Sequence, residues 1–270
     1  MDIFQSIFLG ILQGFGEFLP ISSTAHLILA PYFFGWPDPG LSFDVALHLG
    51  TLVAVILFFW RDLADILKSG SNSILKTNYK PKTNNYEPNI FWLLLTASIP
   101  GFIFGFFLDD FAEREFRNPL LIAGMLSFVG LILFLVDKYT SHKKNMKSMT
   151  IKDAAIIGIS HAVAIIPGVS RSGITISAGL ARGFSREQAA RFSFLLSVPI
   201  IMGAVVLKLP EMFASEISVQ IVAGVLATAL SGYLAIKYML KFIQKVGYAP
   251  FFYYRVALAG IIVIYYFSKF

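Results

Sequence analysis

Six runs of apolar residues are each long enough to cross a membrane, and they constrain the fold more than any other feature. A spanning helix needs roughly 20 mostly apolar residues. Hydrophobic residues make up 56% of the chain and charged residues 14%, against about 25% charged residues in soluble domains. The sequence therefore predicts an all-α, polytopic membrane protein with six full spans, at about 44–60, 91–108, 118–137, 189–208, 217–240 and 252–268.

Two further apolar segments, 3–35 and 153–182, are interrupted by proline, glycine and polar residues. Each pattern predicts a short helix, a polar turn near Pro20 or Pro167, and a second short helix, which is typical of a re-entrant hairpin. Irregular backbone at membrane depth is tolerated only where protein or a cavity satisfies its polar groups. The two turns should therefore be buried in protein or line a cavity.

The order hairpin, span, span, span occurs twice along the chain. Three spans per half invert the second half relative to the first, so the sequence predicts an inverted-topology repeat, and such repeats place sites where broken helices meet. We expect a single membrane domain, 1–270, with halves 1–138 and 152–270 joined by a basic linker at 139–151.

The basic residues concentrate in loops on one side of the predicted membrane, 15 against 4 on the other. Because cytoplasmic loops carry the excess of lysine and arginine, both termini should face outside the cytoplasm. The net charge of +6 is thus a topology signal, and nucleic acid is not an expected partner. With 0 cysteines, disulfides, thiolate nucleophiles and cysteine metal sites are excluded. The polar segment 69–89 is predicted to be a solvated connector.

The first broken segment carries a cluster of chemically active side chains. Gln13 and Glu17 are spaced i, i+4 and share a helix face. An acid within an apolar segment usually faces a cavity and marks function, although a structural carboxylate paired with a basic residue is the alternative. Beyond Pro20, a serine can cap the next helix. His26 can act as a base or a nucleophile, or it can form a hydrogen bond that serves packing alone. The candidate residues after the turn are Ser22, Ser23, Thr24 and His26.

The second broken segment adds a cation and more hydroxyls, Ser170, Arg171, Ser172 and Thr175. Arginine offers a planar fork of donors suited to phosphate, and a helix N-terminus also attracts anions. Arg171 lies too far from the basic end at Arg182 to snorkel there easily. The two segments together predict a phosphate cradle with an acid beside it, which suggests a divalent cation on Glu17 or proton transfer.

Three other polar residues are assigned to packing rather than to the site. His48 and Asp44 begin the first full span, and His161 precedes the second turn, where it could alternatively support the site residues. A single histidine on an apolar helix is more often a packing hydrogen-bonder than a reactive group.

The two broken segments match the signatures of a known family. Gln13–Leu27 resembles the first signature of undecaprenyl-diphosphate phosphatases of the bacitracin-resistance type, and Pro167–Gly173, with Arg182–Gly183 and Ala189–Phe194, resembles the second. The resemblance implies hydrolysis of undecaprenyl diphosphate to undecaprenyl phosphate, which recycles the lipid carrier of cell-wall synthesis in the plasma membrane. It also implies a divalent cation, Mg²⁺ or Ca²⁺, and an active site open to the outer face.

On this interpretation Glu17, Ser23, His26 and Arg171 are the catalytic candidates and Glu17 is the metal ligand. The phosphate-binding candidates are Gln13, Ser22, Thr24, Ser170, Ser172 and Thr175. The expected partners are the polyprenyl lipid and membrane lipids, with a homodimer left open. Ser23, His26 and a metal-bound water all remain candidate nucleophiles, and we favour Ser23 assisted by His26.

Two rival functions are considered. A transporter or flippase of a polyprenyl phosphate would share the repeat and the cradle but would not need Glu17 and His26 beside it. The type 2 phosphatidic-acid phosphatases use a histidine downstream of a Ser-Arg motif, and no histidine follows Arg171. Phosphate release by purified protein separates the first rival from a phosphatase.

Overall fold

The structure is a computed structural model that describes residues 1–37, 39–75, 86, 89–214 and 218–269, with only the backbone described at 41, 42, 108–115 and 208–214. The described part is all-helical. In chain order the helices are α1 Ile3–Phe18, α2 Ser23–Phe34, α3 Leu41–Leu75, α4 Ile90–Glu115, α5 Pro119–Tyr139, α6 Ile151–Ala162, α7 Arg171–Ala181, α8 Arg186–Ala214, α9 Val219–Val246 and α10 Ala249–Ser268.

Six of these helices, α3, α4, α5, α8, α9 and α10, are long and apolar enough to cross a membrane. They confirm the six predicted spans and with them a multi-pass membrane protein. The first of them is longer than expected, because α3 continues to Leu75 beyond a kink at Phe59.

The prediction of a solvated connector is wrong for residues 69–75, which are helical, while 76–85, 87 and 88 lie outside the described residues. The serine hydroxyls in this stretch donate to carbonyls of the same helix. Ser71 Oγ donates to Lys68 O and Ser73 Oγ to Gly70 O. Gly70 also lies against the ring of Phe91, where a Cβ would come within 2.5 Å.

The two broken segments each form a pair of short helices. α1 and α2 are separated by residues 19–22, and α6 and α7 by 163–170, of which Val163–Ile165 form a 3₁₀ turn. The four helices have 16, 12, 12 and 11 residues, each fewer than the roughly 20 that a span requires. The predicted helix, turn, helix pattern is therefore present in both segments.

One short helix of each pair packs on a long helix of the other half of the chain: α1 contacts α9, and α6 contacts α4. Both contacts depend on glycine, because the backbones approach more closely than a Cβ allows. A Cβ on Gly14 would lie 2.0 Å from Ser231 Oγ and 2.6 Å from Gly232 N. A Cβ on Gly158 would lie 2.5 Å from Ala97 O. This packing brings the ends of α1 and α6, and hence the two turns, into the interior of the bundle.

Candidate active site

Each turn ends in a serine that caps the next helix in the same unusual way. Ser22 precedes α2 with φ 74°, and Ser170 precedes α7 with φ 70°. Their hydroxyl oxygens accept from the backbone N–H three residues later, Ala25 at 3.4 Å and Gly173 at 3.1 Å. The second turn has one more residue between its proline and its cap, so Ser170 matches Ser22 and Arg171 matches Ser23.

Beside these caps, the first two backbone amides of α2 and of α7 remain available as hydrogen-bond donors. The N–H groups of Ser23, Thr24, Arg171 and Ser172 have no hydrogen-bond acceptor among the residues that the structure describes. The first N–H groups of a helix have no intrahelical partner, and their partial positive charge favours anions. Two helix N-termini therefore face one region, which is the arrangement that binds phosphate.

Glu17, in the last turn of α1, is the centre of the polar network. Its Oε2 accepts from Ser23 Oγ at 2.7 Å and from Gln13 Nε2 at 3.1 Å. Its Oε1 accepts from Arg171 Nη2 at 2.8 Å. The i, i+4 face shared by Gln13 and Glu17 is confirmed, and Gln13, fully buried, orients the carboxylate.

Arg171 begins α7 and crosses to the first broken segment. Nη2 pairs with Glu17, and Nη1 donates to Ser193 O of α8 at 2.8 Å. The acid and the guanidinium are both largely buried, with side chains 7% and 11% exposed. A purely structural pairing would produce the same ion pair, and a double mutant of the two residues separates the structural role from the catalytic one.

A cavity of about 280 Å³ opens beside this network. Six of the ten predicted site residues line it: Glu17, Ser22, Ser23, Thr24, Ser170 and Arg171. The other four lie behind its wall. Gln13 holds Glu17, Ser172 Oγ donates to Leu19 O at 3.2 Å, and Thr175 Oγ1 donates to Arg171 O at 2.7 Å.

His26 is the fourth residue behind the wall, and both of its ring nitrogens are engaged. Nδ1 lies 2.7 Å from Ser22 O, a carbonyl that can only accept, so Nδ1 carries the hydrogen. Nε2 lies 2.6 Å from the hydroxyl of Tyr254 and accepts from it. The ring therefore supports the turn at Ser22 and does not reach Ser23 Oγ, which donates to Glu17.

Two histidines assigned to packing lie at the cavity instead. His48 donates from Nδ1 to Asp44 O at 2.7 Å and turns Nε2 toward Glu17 Oε2, 3.8 Å away. His161 lines the opposite wall, and its buried Nδ1 has no hydrogen-bond partner among the described residues. Sequence spacing gave no signal for either, because α3 and α6 reach the cavity only through tertiary packing.

Arg255 is a further residue that the sequence analysis missed. It lies in α10, is 0% exposed, and donates to backbone carbonyls of both turns: Nη1 to Pro20 O at 3.2 Å, and Nη2 to Gly168 O at 2.6 Å and Val169 O at 3.0 Å. Its Nε donates to Leu126 O of α5 at 2.8 Å. An arginine inside an apolar span was the available signal, since such residues rarely occur without function.

The fit of a divalent cation can be judged from the ligands present. The described part of the chain contains no group of three His, Cys, Asp or Glu side chains able to hold one ion. Glu17 Oε2 and His48 Nε2 lie 3.8 Å apart, and the buried Gln13 Oε1 lacks a partner among the described residues. Because Mg²⁺ often takes one or two carboxylates plus substrate phosphates, the residues fit a cation held jointly with substrate.

Comparison with known proteins identifies the family of the chain. The family model described as Bacitracin resistance protein BacA matches residues 6–261. A protein of Moorella thermoacetica named undecaprenyl-diphosphatase is 51% identical over 263 residues, 97% of each chain. Proteins of the same name from Pelotomaculum thermopropionicum and Caldicellulosiruptor bescii are 45% and 46% identical, each covering 98% of this chain and 96% or 98% of their own. The chain therefore belongs to the BacA bacitracin-resistance family.

Proposed function

We propose that this protein hydrolyses undecaprenyl diphosphate to undecaprenyl phosphate and so recycles the lipid carrier of cell-wall synthesis at the plasma membrane. The observation that carries the proposal is the hydrogen bond of 2.7 Å from Ser23 Oγ to Glu17 Oε2 inside a cradle of helix N-termini. A nucleophile, a base and an anion site thus share one cavity. The name of the relatives, undecaprenyl-diphosphatase, supports the same substrate.

Ser23 is the proposed nucleophile, with Glu17 as its base. Ser23 Oγ attacks the terminal phosphorus as its proton passes to Glu17, and the bond to the bridging oxygen breaks. Undecaprenyl phosphate leaves, and water then cleaves the phosphoserine to release phosphate. This assignment moves the base from His26 to Glu17, because His26 is hydrogen-bonded to Ser22 O and Tyr254.

Arg171 and the four helix amides are the proposed clamp on the diphosphate. Phosphoryl transfer depends mostly on positioning and on stabilising charge, so fixed donors contribute most of the catalysis. Arg171 donates to Glu17 and to Ser193 O in the structure. We expect its fork to turn to the phosphate oxygens when the substrate binds. Glu17 is then free to receive the proton from Ser23.

A divalent cation, Mg²⁺ or Ca²⁺, is part of the proposal, with His48 and one oxygen of Glu17 as its protein ligands, while the other oxygen of Glu17 remains with Ser23. When bound, it would neutralise phosphate charge next to the carboxylate. The remaining ligands would be phosphate oxygens and water. A chelator should therefore abolish phosphate release, and added Mg²⁺ or Ca²⁺ should restore it.

The test is phosphate release by purified protein from undecaprenyl diphosphate in detergent. We expect turnover by the wild type, none by Ser23→Ala or Glu17→Gln, and a larger residual rate for His26→Gln. Acid quenching with terminally labelled substrate should trap phosphate on Ser23. Label on His26 would reverse the roles of the two residues, and substrate binding without phosphate release would favour the flippase.

A further inference from the structure

An apolar groove lies between α4 and α8, next to the polar cavity. It encloses about 460 Å³ and is lined by residues such as Phe102, Phe106, Val206 and Leu207. These four side chains are 38%, 65%, 62% and 53% exposed, so the groove faces outward. None of the described residues that line it has a polar side chain.

α4 and α8, the two helices that form the groove, also contribute residues to the lining of the cavity. On α4, Gly101 and Gly105 line the cavity, while Phe102 and Phe106, one position along, line the groove. On α8, Ala204 lines the cavity and the adjacent Gly203 lines the groove. The Phe102 ring closes this wall at Gly203, where a Cβ would lie 2.0 Å from it, and Ile200 and Ile201 also line the cavity. At Gly105 and Ala204 the lining residues have little or no side chain.

Gly105 leaves open space where a larger residue would close the wall. A Cβ built on Gly105 would have no heavy atom within 4 Å. The pair α3 and α9, which matches α8 and α4 in the element order, is closed instead: a Cβ on Gly50 would lie 2.5 Å from Val225 O. The packing of α4 and α8 therefore leaves room at Gly105 that the packing of α3 and α9 does not leave at Gly50.

We propose that this groove holds the polyprenyl chain of the substrate while the diphosphate occupies the cavity. The inference rests on the proposed function. A lipid diphosphate has a charged head that the cradle and Arg171 attract, and an apolar chain that gains nothing from a polar cavity. The gap at Gly105 lets the polyprenyl chain leave the cavity sideways, into an apolar surface continuous with the lipid. The diphosphate then stays among polar groups and the chain among apolar ones.

A crosslinking experiment locates the chain directly. p-Benzoylphenylalanine replaces Phe106 in the groove or, as the matched control, Phe128 of α5, whose exposed fraction of 60% is close to the 65% of Phe106. The purified variants are irradiated with radiolabelled undecaprenyl diphosphate in phospholipid micelles. We expect strong labelling at position 106 and background labelling at 128. Equal labelling at the two positions would show that the groove holds only bulk lipid and would overturn the proposal.

A steric block tests the gap by kinetics. Gly105→Leu should raise the KM for undecaprenyl diphosphate about tenfold, because one or two methylenes of the lipid displaced from an apolar site weaken binding on this scale. Gly260→Leu, on α10, is the matched control, because a Cβ there also meets no atom within 4 Å. An equal KM in the two variants contradicts the proposal. If the wild type released no phosphate, the proposed function would fail, whereas the crosslinking result would still decide the occupant of the groove.

Discussion

At the scale of residues, the ion pair between Glu17 and Arg171 joins the two broken segments and defines the site. Its atoms lie 2.8 Å apart, and the partners are 154 positions apart in sequence. Breaking a buried pair by removing one partner typically costs about 3–5 kcal/mol of stability, because a charge is left uncompensated. Losing one transition-state contact raises the activation free energy by a similar amount, about 3–4 kcal/mol. The size of a single-mutant effect therefore cannot separate a structural role from a catalytic one.

A double mutant separates the two roles. Arg171→Ala should lower turnover about a hundred- to a thousandfold, and Arg171→Lys should recover little, because lysine lacks the bidentate fork. Glu17→Gln combined with Arg171→Ala removes both charges, so it should regain thermal stability relative to Arg171→Ala alone. Thermal unfolding in detergent and binding of a labelled polyprenyl diphosphate are the measurements. If the folded double mutant bound diphosphate like the wild type, Arg171 would not be the clamp.

Local spacing accounts for the part of the site that could be predicted from the sequence. The i, i+4 pair Gln13 and Glu17 and the serine caps depend on neighbours in the chain, so pattern is enough to find them. His48 and His161 reach the site through the packing of α3 and α6, which no local pattern encodes. Arg255 carried a local signal, as an arginine inside an apolar span, but its partners in the two turns follow only from the packing of α10. His26 belongs to the right segment, but its engagement by Tyr254 of α10 is a tertiary contact.

At the scale of elements, one buried side chain donates to backbone carbonyls of both turns. Arg255 donates to Pro20 O, Gly168 O and Val169 O, while Leu126 O of α5 fixes its position. Gly173 makes room for it, since a Cβ there would lie 2.9 Å from Arg255 Nη1. The amides of both helix N-termini are therefore aimed by one buried guanidinium.

Replacing Arg255 should disorder both turns together. Arg255→Met keeps length but leaves several buried carbonyls unpaired, each costing about 1–3 kcal/mol. We expect a lower thermal midpoint and a loss of diphosphate binding larger than that of Ser22→Ala, which affects one turn. Arg255→Lys should be intermediate. Wild-type binding by a destabilised Arg255→Met would show that the turns keep their geometry without it.

The glycine contacts of α1 with α9 give a second element-scale prediction. Gly14→Leu would force a side chain into Ser231 and the Gly232 backbone, and overpacking of this kind costs about 1–3 kcal/mol or more. We expect a lower thermal midpoint and weaker activity, because α1 carries Glu17. Gly124→Leu on α5 is the control, since no atom lies within 4 Å of a Cβ there. Equal thermal midpoints for the two variants would show that the close contact between α1 and α9 does not contribute to stability.

At the scale of the whole molecule, the first five helices and the last five interlock. α1 packs on α9 and α6 packs on α4, and the two serine caps have matching dihedral angles. These correspondences support our proposal that the chain is an inverted repeat with two re-entrant hairpins. The six spans could be predicted from apolar length alone. The packing of α1 on α9 and of α6 on α4 depends on Gly14 and Gly158, whose importance is visible only once their partners are known.

Cysteine labelling tests this topology without background, because the chain has 0 cysteines. If α1 and α2 form a re-entrant hairpin, Asp2→Cys and Phe34→Cys should react from the same side with a membrane-impermeant maleimide. Lys269→Cys should react from that outer side, and Lys138→Cys and Lys245→Cys only after the membrane is opened. Reaction of Asp2→Cys and Phe34→Cys from opposite sides would show that the first broken segment crosses the membrane.

The 154 residues between Glu17 and Arg171 also have a consequence for biosynthesis. A ribosome adding about 5–20 residues per second makes the acid roughly 8–30 s before its partner. An ionised side chain at the centre of a bilayer costs about 2.5–3.5 kcal/mol on insertion scales, so we expect Glu17 to be neutral or hydrated during that interval. The early helices therefore enter the membrane with an unmatched acid, and emergence of the second turn completes the charge balance. Assembly of this bundle is tied to the order in which it is translated.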